Sequence, residues 1–92
     1  MNNVFDKPTA AEIIAEVSKD MKRLRRNMKI NQKTLAEMSG VSLGSIKRFE
    51  RQSEISFHSL ARIAVILGCE DTLLKLFKKR YYASIQDVID EE

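Results

Sequence analysis

The run Gln32-Lys33-Thr34-Leu35-Ala36-Glu37-Met38-Ser39-Gly40-Val41-Ser42-Leu43-Gly44-Ser45-Ile46-Lys47-Arg48-Phe49-Glu50-Arg51 decides how this chain is read. Asn31 before it is a good N-cap, and Leu35, Ala36 and Met38 then fall on the inward side of a short helix. Ser39-Gly40 ends that helix, because glycine reaches the positive φ that other residues resist. Val41 is a small apolar residue in the turn. Ser42 caps a further helix over about residues 43–51, with Ile46 and Phe49 inward. Two short helices joined through a glycine-containing turn have the shape of a helix-turn-helix.

Upstream, Thr9-Ala10-Ala11-Glu12 reads as a capping box. Ile13, Ile14, Val17, Met21, Leu24 and Met28 follow at spacings of three and four, which predicts one apolar stripe on a helix from about Ala10 to Met28. Residues 1–8 have no periodicity and form a lead-in, with Val4 and Phe5 as its apolar residues. Downstream, Ser56 is an N-cap with a hydrophobic staple between Ile55 and Leu60. Leu60, Ala61, Ile63, Ala64 and Leu67 make the buried face of a fourth helix stopped by Gly68. Val65 and Ile66 leave that helix apolar nearly all round, so it is either central or part of an interface. A fifth helix is expected over about Asp71 to Lys79. It carries Leu73, Leu74, Leu76 and Phe77 and closes on Lys78, Lys79 and Arg80. Residues 81–84 read as extended. Residues 84–91 fit either a short acidic helix capped by Ser84 or a pairing strand, since their periodicity serves both.

Composition agrees with an all-α domain. Ninety-two residues support one core, 43% of them are hydrophobic, and three Gly with one Pro leave few of the turns a sandwich or barrel needs. The domain is taken as residues 1–80, with 81–92 as an acidic extension. One Cys allows no internal disulfide, no apolar run approaches the roughly 18 residues of a membrane span, and the first residues lack an apolar signal region. A cytoplasmic chain is the expectation.

The net charge of +3 hides a polarity. Residues 81–92 contain Asp87, Asp90, Glu91 and Glu92 and no Lys or Arg, which leaves 16 basic against 9 acidic residues, or +7, for the rest. Lys19, Lys22, Arg23, Arg25, Arg26 and Lys29 are offset locally only by Asp20. Such a body suits a polyanionic partner, although a solvated helix face has the same composition.

Residues 32–51, continued by Leu60-Ala61-Arg62-Ile63-Ala64-Val65-Ile66-Leu67-Gly68, resemble the helix-turn-helix of the Cro/cI family, also called the xenobiotic response element family. The markers are Gln opening helix two, Leu-Ala after it, Gly-Val in the turn, Ile in helix three and Phe-Glu-Arg at its end, and the resemblance extends over about residues 19–77. It implies a five-helix, lambda-repressor-like fold, with helix three placed in the major groove of double-stranded DNA. By the same resemblance Ser42, Leu43, Gly44 and Arg48 take base-reading positions, while Gln32, Lys33, Ser45, Lys47, Arg51 and Arg23 meet the DNA backbone. Arg48 is the strongest reader, since a guanidinium pairs bidentately with guanine O6 and N7. Leu43 and Gly44 depart from the polar readers common in the family. Leu43 can meet a thymine methyl, whereas Gly44 costs roughly 1 kcal/mol of helix stability and offers no side chain. Specificity then comes either from these contacts or mainly from Arg48, Ser42 and DNA shape.

Two functional classes follow. One is a homodimeric repressor of a pseudo-palindromic operator, its recognition helices about 34 Å apart and its seam drawn from Val65, Ile66, Tyr81 and Tyr82. The other is a protein-neutralising antitoxin or adaptor whose main role is binding a partner protein, with weak or degraded DNA readout. The stretch 46–51, Glu54-Ile55-Ser56 and the tail with Tyr82, Ile85, Val88 and Ile89 are similar to HipB-type antitoxins, which implies a HipA-type kinase as partner and repression of their own operator. His58 reads as a surface or capping residue, Cys69 as a packed thiol and the Met residues as core. No nucleophile–base pair, phosphate loop or metal-ligand cluster suggests an enzyme, a metal, a cofactor or a small-molecule substrate.

Overall fold

The computed structural model describes residues 6–78. Five helices make up its regular structure: α1 (Ala10–Asn27), α2 (Gln32–Ser39), α3 (Leu43–Gln52), α4 (Phe57–Leu67) and α5 (Glu70–Leu74). The capping chemistry read from the sequence is present at each of the first four N-termini. Thr9 and Glu12 form a reciprocal capping box, the Glu12 N–H donating to Thr9 Oγ1 at 3.1 Å and the Thr9 N–H to Glu12 Oε1 at 2.8 Å. Asn31, Ser42 and Ser56 each accept from the backbone N–H three residues on.

The core lies where α1, α2, α3 and α4 meet. Leu35, Ile46, Phe49 and Ile63 are fully buried, joined by Met21, Val41 and Leu67. Leu24, Ile30, Ala36, Ile55, Leu60, Ile66 and Cys69 pack around them, and these include both ends of the Ile55–Leu60 staple. Gly40, at φ 76°, turns the chain after α2 and donates its N–H to the Ala36 carbonyl, the αL closure that glycine tolerates best. Val41 then enters the core, and its N–H bonds Ser39 Oγ at 3.1 Å. The Ser18 hydroxyl of α1 donates to the Phe49 carbonyl at 2.6 Å, which fastens α1 to the last turn of α3.

Several expectations need correction. The apolar stripe of α1 is not buried along its length: Met21 is buried and Leu24 half-buried, but Ile13, Ile14, Val17 and Met28 are exposed. An 18-residue helix is about 27 Å long, and the side chains it buries, Ser18, Met21 and Arg25, all lie from its middle onward. Its first two turns extend past the core. Met38 is exposed too, so core spacing holds for Met21 alone among the described methionines. The basic residues of 19–29 do not form one solvated face, because Arg25 is buried. Of the two apolar residues that leave α4 apolar nearly all round, Ile66 is partly buried against the core and Val65 is exposed. The α5 helix stops at Leu74, well short of Lys79; the Leu76 and Lys78 N–H groups bond carbonyls three residues back, and Leu74, Leu76 and Phe77 are exposed. Without a core beneath them, these side chains give the helix no reason to continue. Lys79 and Arg80, the lead-in residues Val4 and Phe5, and the whole segment 81–92 lie outside the described residues.

Candidate nucleic-acid interface

Burial of Ile46 and Phe49 fixes the rotation of α3 about its axis, because two positions three apart define one inward face. The opposite face then presents Gly44, Lys47, Arg48 and Arg51, all exposed, with the adjacent Lys47 and Arg48 one turn from Gly44 on one side and from Arg51 on the other. No described carboxylate lies within ion-pair distance of Lys47, Arg48 or Arg51. Leu43 is half-buried at the start of the helix. Ser42 spends its hydroxyl locally: it accepts from the Ser45 N–H at 3.1 Å and donates to Ser45 Oγ at 2.8 Å. Of the expected base readers, then, Arg48 has a free polar head, while Ser42 is committed to capping.

A second cationic wall comes from the far side of the helix pair. A groove is lined by Lys22 of α1, Gln32 at the start of α2, and Lys47, Glu50 and Arg51 of α3. At its base the Arg25 guanidinium grips Glu50 with two bonds, Nε to Oε2 at 2.7 Å and Nη2 to Oε1 at 3.0 Å. Arg25 Nη1 also donates to the Ile30 carbonyl at 2.8 Å, and Gln32 Nε2 donates to Glu50 Oε1 at 2.9 Å. The pair is almost wholly buried, with side-chain exposures of 8% and 4%. Glu50 is therefore neutralised from within, and the three groove cations Lys22, Lys47 and Arg51 keep their charge for the outside. Gln32, expected at the DNA backbone, is oriented by Glu50 and has one amide proton left over.

Sequence reasoning missed this arrangement. Arg25 reads as one more cation in a run, and nothing in the spacing links position 25 to position 50. Lys22, one turn earlier, also reads only as part of that run; with Arg25 turned toward α3, Lys22 shares that face. Arg23 pairs with Asp20 at 3.0 Å on the exposed side of α1, a solvated contact that holds the side chain only weakly. With Lys19, Lys22, Arg26 and Asn27 it lines a separate basic groove.

The helix ends add to the field. No acidic residue occupies the first turn of α2, α3 or α4, in contrast to Glu12 in α1 and Glu70 and Asp71 in α5. Lys33 adds positive charge in the first turn of α2. The positive ends of three helix dipoles are thus left uncompensated by the chain. Arg48 stands beside a further groove, with Ser45, Glu54, Ile55, Ser56 and Ser59, between α3 and the start of α4.

Two short helices around a glycine turn, the second held outward with a basic exposed face, define a DNA-binding helix-turn-helix module. A family model for the helix-turn-helix of the Cro/cI type matches residues 21–74, and the chain belongs to that family. The match takes in α2 to α5 and the last two turns of α1, which carry Met21, Leu24 and Arg25. No curated protein and no solved structure shows significant similarity to the chain. Among the described residues no group of acidic, His and Cys side chains could hold a metal, and no helix is long and apolar enough to cross a membrane. Cys69 is half-buried and His58 is exposed in the first turn of α4.

Proposed function

We infer that this protein is a sequence-specific transcriptional repressor which binds a pseudo-palindromic operator as a homodimer. The exposed face of α3 carries the reading: Lys47, Arg48 and Arg51 project from a helix whose other face is locked in the core, and no described carboxylate is within ion-pair distance of them. Arg48 reads a guanine through its two-pronged guanidinium. Lys47, Arg51, Lys22 and Lys33 meet phosphates on either side of the groove, with Gln32 and the Ser45 hydroxyl as neutral donors. Leu43 provides apolar contact at the helix start. Arg23 stays peripheral, since Asp20 competes for it.

Dimerisation draws on apolar side chains that the protomer leaves uncovered, Val65 at 60%, Leu74 at 66% and Phe77 at 89% exposure. Leu74 and Phe77 are followed in sequence by Tyr81, Tyr82, Ile85, Val88 and Ile89, the other apolar residues proposed for this contact. The same surplus supports a second reading, in which the chain is an antitoxin whose C-terminal end holds a HipA-type kinase and whose helix-turn-helix represses its own operator.

Selection of binding sites from a random DNA pool tests the first reading. A homodimer enriches an inverted repeat whose half-site centres lie about 10 base pairs apart, or a multiple of that spacing. Enrichment of a single unrepeated site would remove the symmetric dimer, and no enrichment at all would remove sequence-specific binding. Co-purification with a kinase encoded beside it, lost on deletion of residues 81–92 while DNA binding persists, would establish the antitoxin reading.

A further inference from the structure

The first two turns of α1 reach beyond the core, which buries Ser18, Met21 and Arg25 of this helix. Ile13, Ile14 and Val17 are left exposed there. Ile13 and Val17 lie one above the other, about a quarter-turn from the centre of the buried side. Beside them runs a flank of four exposed charges, Glu12, Glu16, Lys19 and Arg23, within about 60° of one another around the axis. Their order along the helix is acidic, acidic, basic, basic. Such a flank complements itself only when a second copy runs the opposite way, since a parallel copy sets like charge against like. One antiparallel register, with its two-fold axis between Val17 and Ser18, sets Glu16 against Lys19 of the second copy and Glu12 against its Arg23 at once. The same register brings the two Val17 side chains together. Within one chain Lys19 and Arg23 are held only by solvated partners on the same helix, Glu16 at 3.6 Å and Asp20 at 3.0 Å, contacts weak enough to be shared.

We propose that α1 is a self-association surface, on which Ile13 and Val17 of two copies meet in an antiparallel helix pair steered by Glu12, Glu16, Lys19 and Arg23. It is separate from the seam proposed above, whose Val65, Leu74 and Phe77 belong to other elements, and it does not depend on the DNA-binding reading. Three apolar side chains per copy make a contact smaller than the roughly 1,000 Å² of a stable interface, so this pair forms only at raised concentration.

The test is sedimentation equilibrium of the full chain, without DNA, over a concentration series from about 10 μM to about 1 mM, the range of a weak contact. The weight-average mass of the wild type is expected to rise about twofold across the series. Ile13→Asp, Glu16→Lys and Lys19→Glu should each keep the dilute mass throughout. An equimolar mixture of Glu16→Lys and Lys19→Glu should recover the rise, because a chain with two lysines at these positions then meets one with two glutamates. All three side chains are exposed, so each variant should melt with the wild type. A wild type of constant mass would overturn the proposal. Single charge variants that associate as the wild type does would overturn it too, since a parallel or uncharged contact would then suffice, and so would a mixture that fails to recover. A lowered Tm for Ile13→Asp with an unchanged mass curve would show that the chain's own residues cover this face, and would likewise overturn it.

Discussion

Arg25 and Glu50 bring opposite charges to the junction of α1 and α3, and their geometry decides what each is worth. Both carboxylate oxygens and all three guanidinium nitrogens have partners, and among the described side chains no buried polar atom is left unsatisfied. Removing one partner strands the other in a nearly dry site. Glu50→Ala should therefore cost about 3 to 5 kcal/mol, most of the stability of a domain this size. Arg25→Met with Glu50→Leu should cost much less than either single loss, because apolar replacement removes both desolvation penalties. Urea unfolding of the singles and the double measures this; additive losses would show that the two charges act separately. From the sequence these residues were legible only as charges: Glu50 as part of a Phe-Glu-Arg marker, Arg25 as part of a basic run. Burial of a charge needs a partner from elsewhere in the chain, and helical periodicity carries no information about a contact 25 residues away. Arg48 was easier to place, because exposure on α3 follows directly from the inward spacing of Ile46 and Phe49.

The ends of the helices show the same division between local and distant causes. Caps depend on a residue and its neighbours, so Thr9, Asn31, Ser42, Ser56, Gly40 and Gly68 were all readable in advance. Two ends were not, because they use side-chain-bearing residues where glycine is usual. Lys29 follows α1 at φ 59°, and its closure is a Schellman motif: the Lys29 N–H bonds the Arg26 carbonyl at 2.9 Å and the Ile30 N–H bonds the Arg25 carbonyl at 3.1 Å. Ser53 follows α3, also at φ 59°, with its N–H on the Phe49 carbonyl. Each αL residue with a Cβ costs about 1 kcal/mol relative to glycine. Lys29→Gly should raise Tm by about 4 to 8 °C, measured by thermal melting followed by circular dichroism; an unchanged or lowered Tm would mean that Ile30 alone sets this turn. The overhang of α1 and the early end of α5 escaped the sequence for the opposite reason. Ile13, Ile14, Val17, Leu74 and Leu76 have helical spacing, but spacing reports a face without reporting whether anything covers it.

At the scale of the molecule, the cations of the proposed DNA face and the apolar side chains proposed for the seam come from different helices. The cations proposed to meet phosphates, Lys22, Lys33, Lys47 and Arg51, come from α1, α2 and α3, whereas exposed Val65, Leu74, Leu76 and Phe77 come from α4, α5 and the turn after it. A protomer with this division can hold DNA with one part and a second protein with the other. If four cations per protomer meet phosphates in a dimer, log K should fall with log[salt] with a slope of about −7. Titrations at several salt concentrations measure the slope, and a value near zero would exclude a phosphate-tracking interface. Phe77→Asp should shift the mass measured by light scattering from dimer to monomer and weaken operator binding along with it; a dimer that survives the added charge would place the seam elsewhere.

The central claim is that α3 reads the major groove through Arg48. Its most direct test is Arg48→Ala, titrated against the enriched operator and against that operator with each base pair permuted. Arg48 is exposed and supports no part of the core, so the variant should fold as the wild type does. It should bind the parent operator at least about tenfold more weakly and lose discrimination at one base pair per half-site while keeping it at the others. Unchanged affinity with an unchanged preference at every position would contradict the claim.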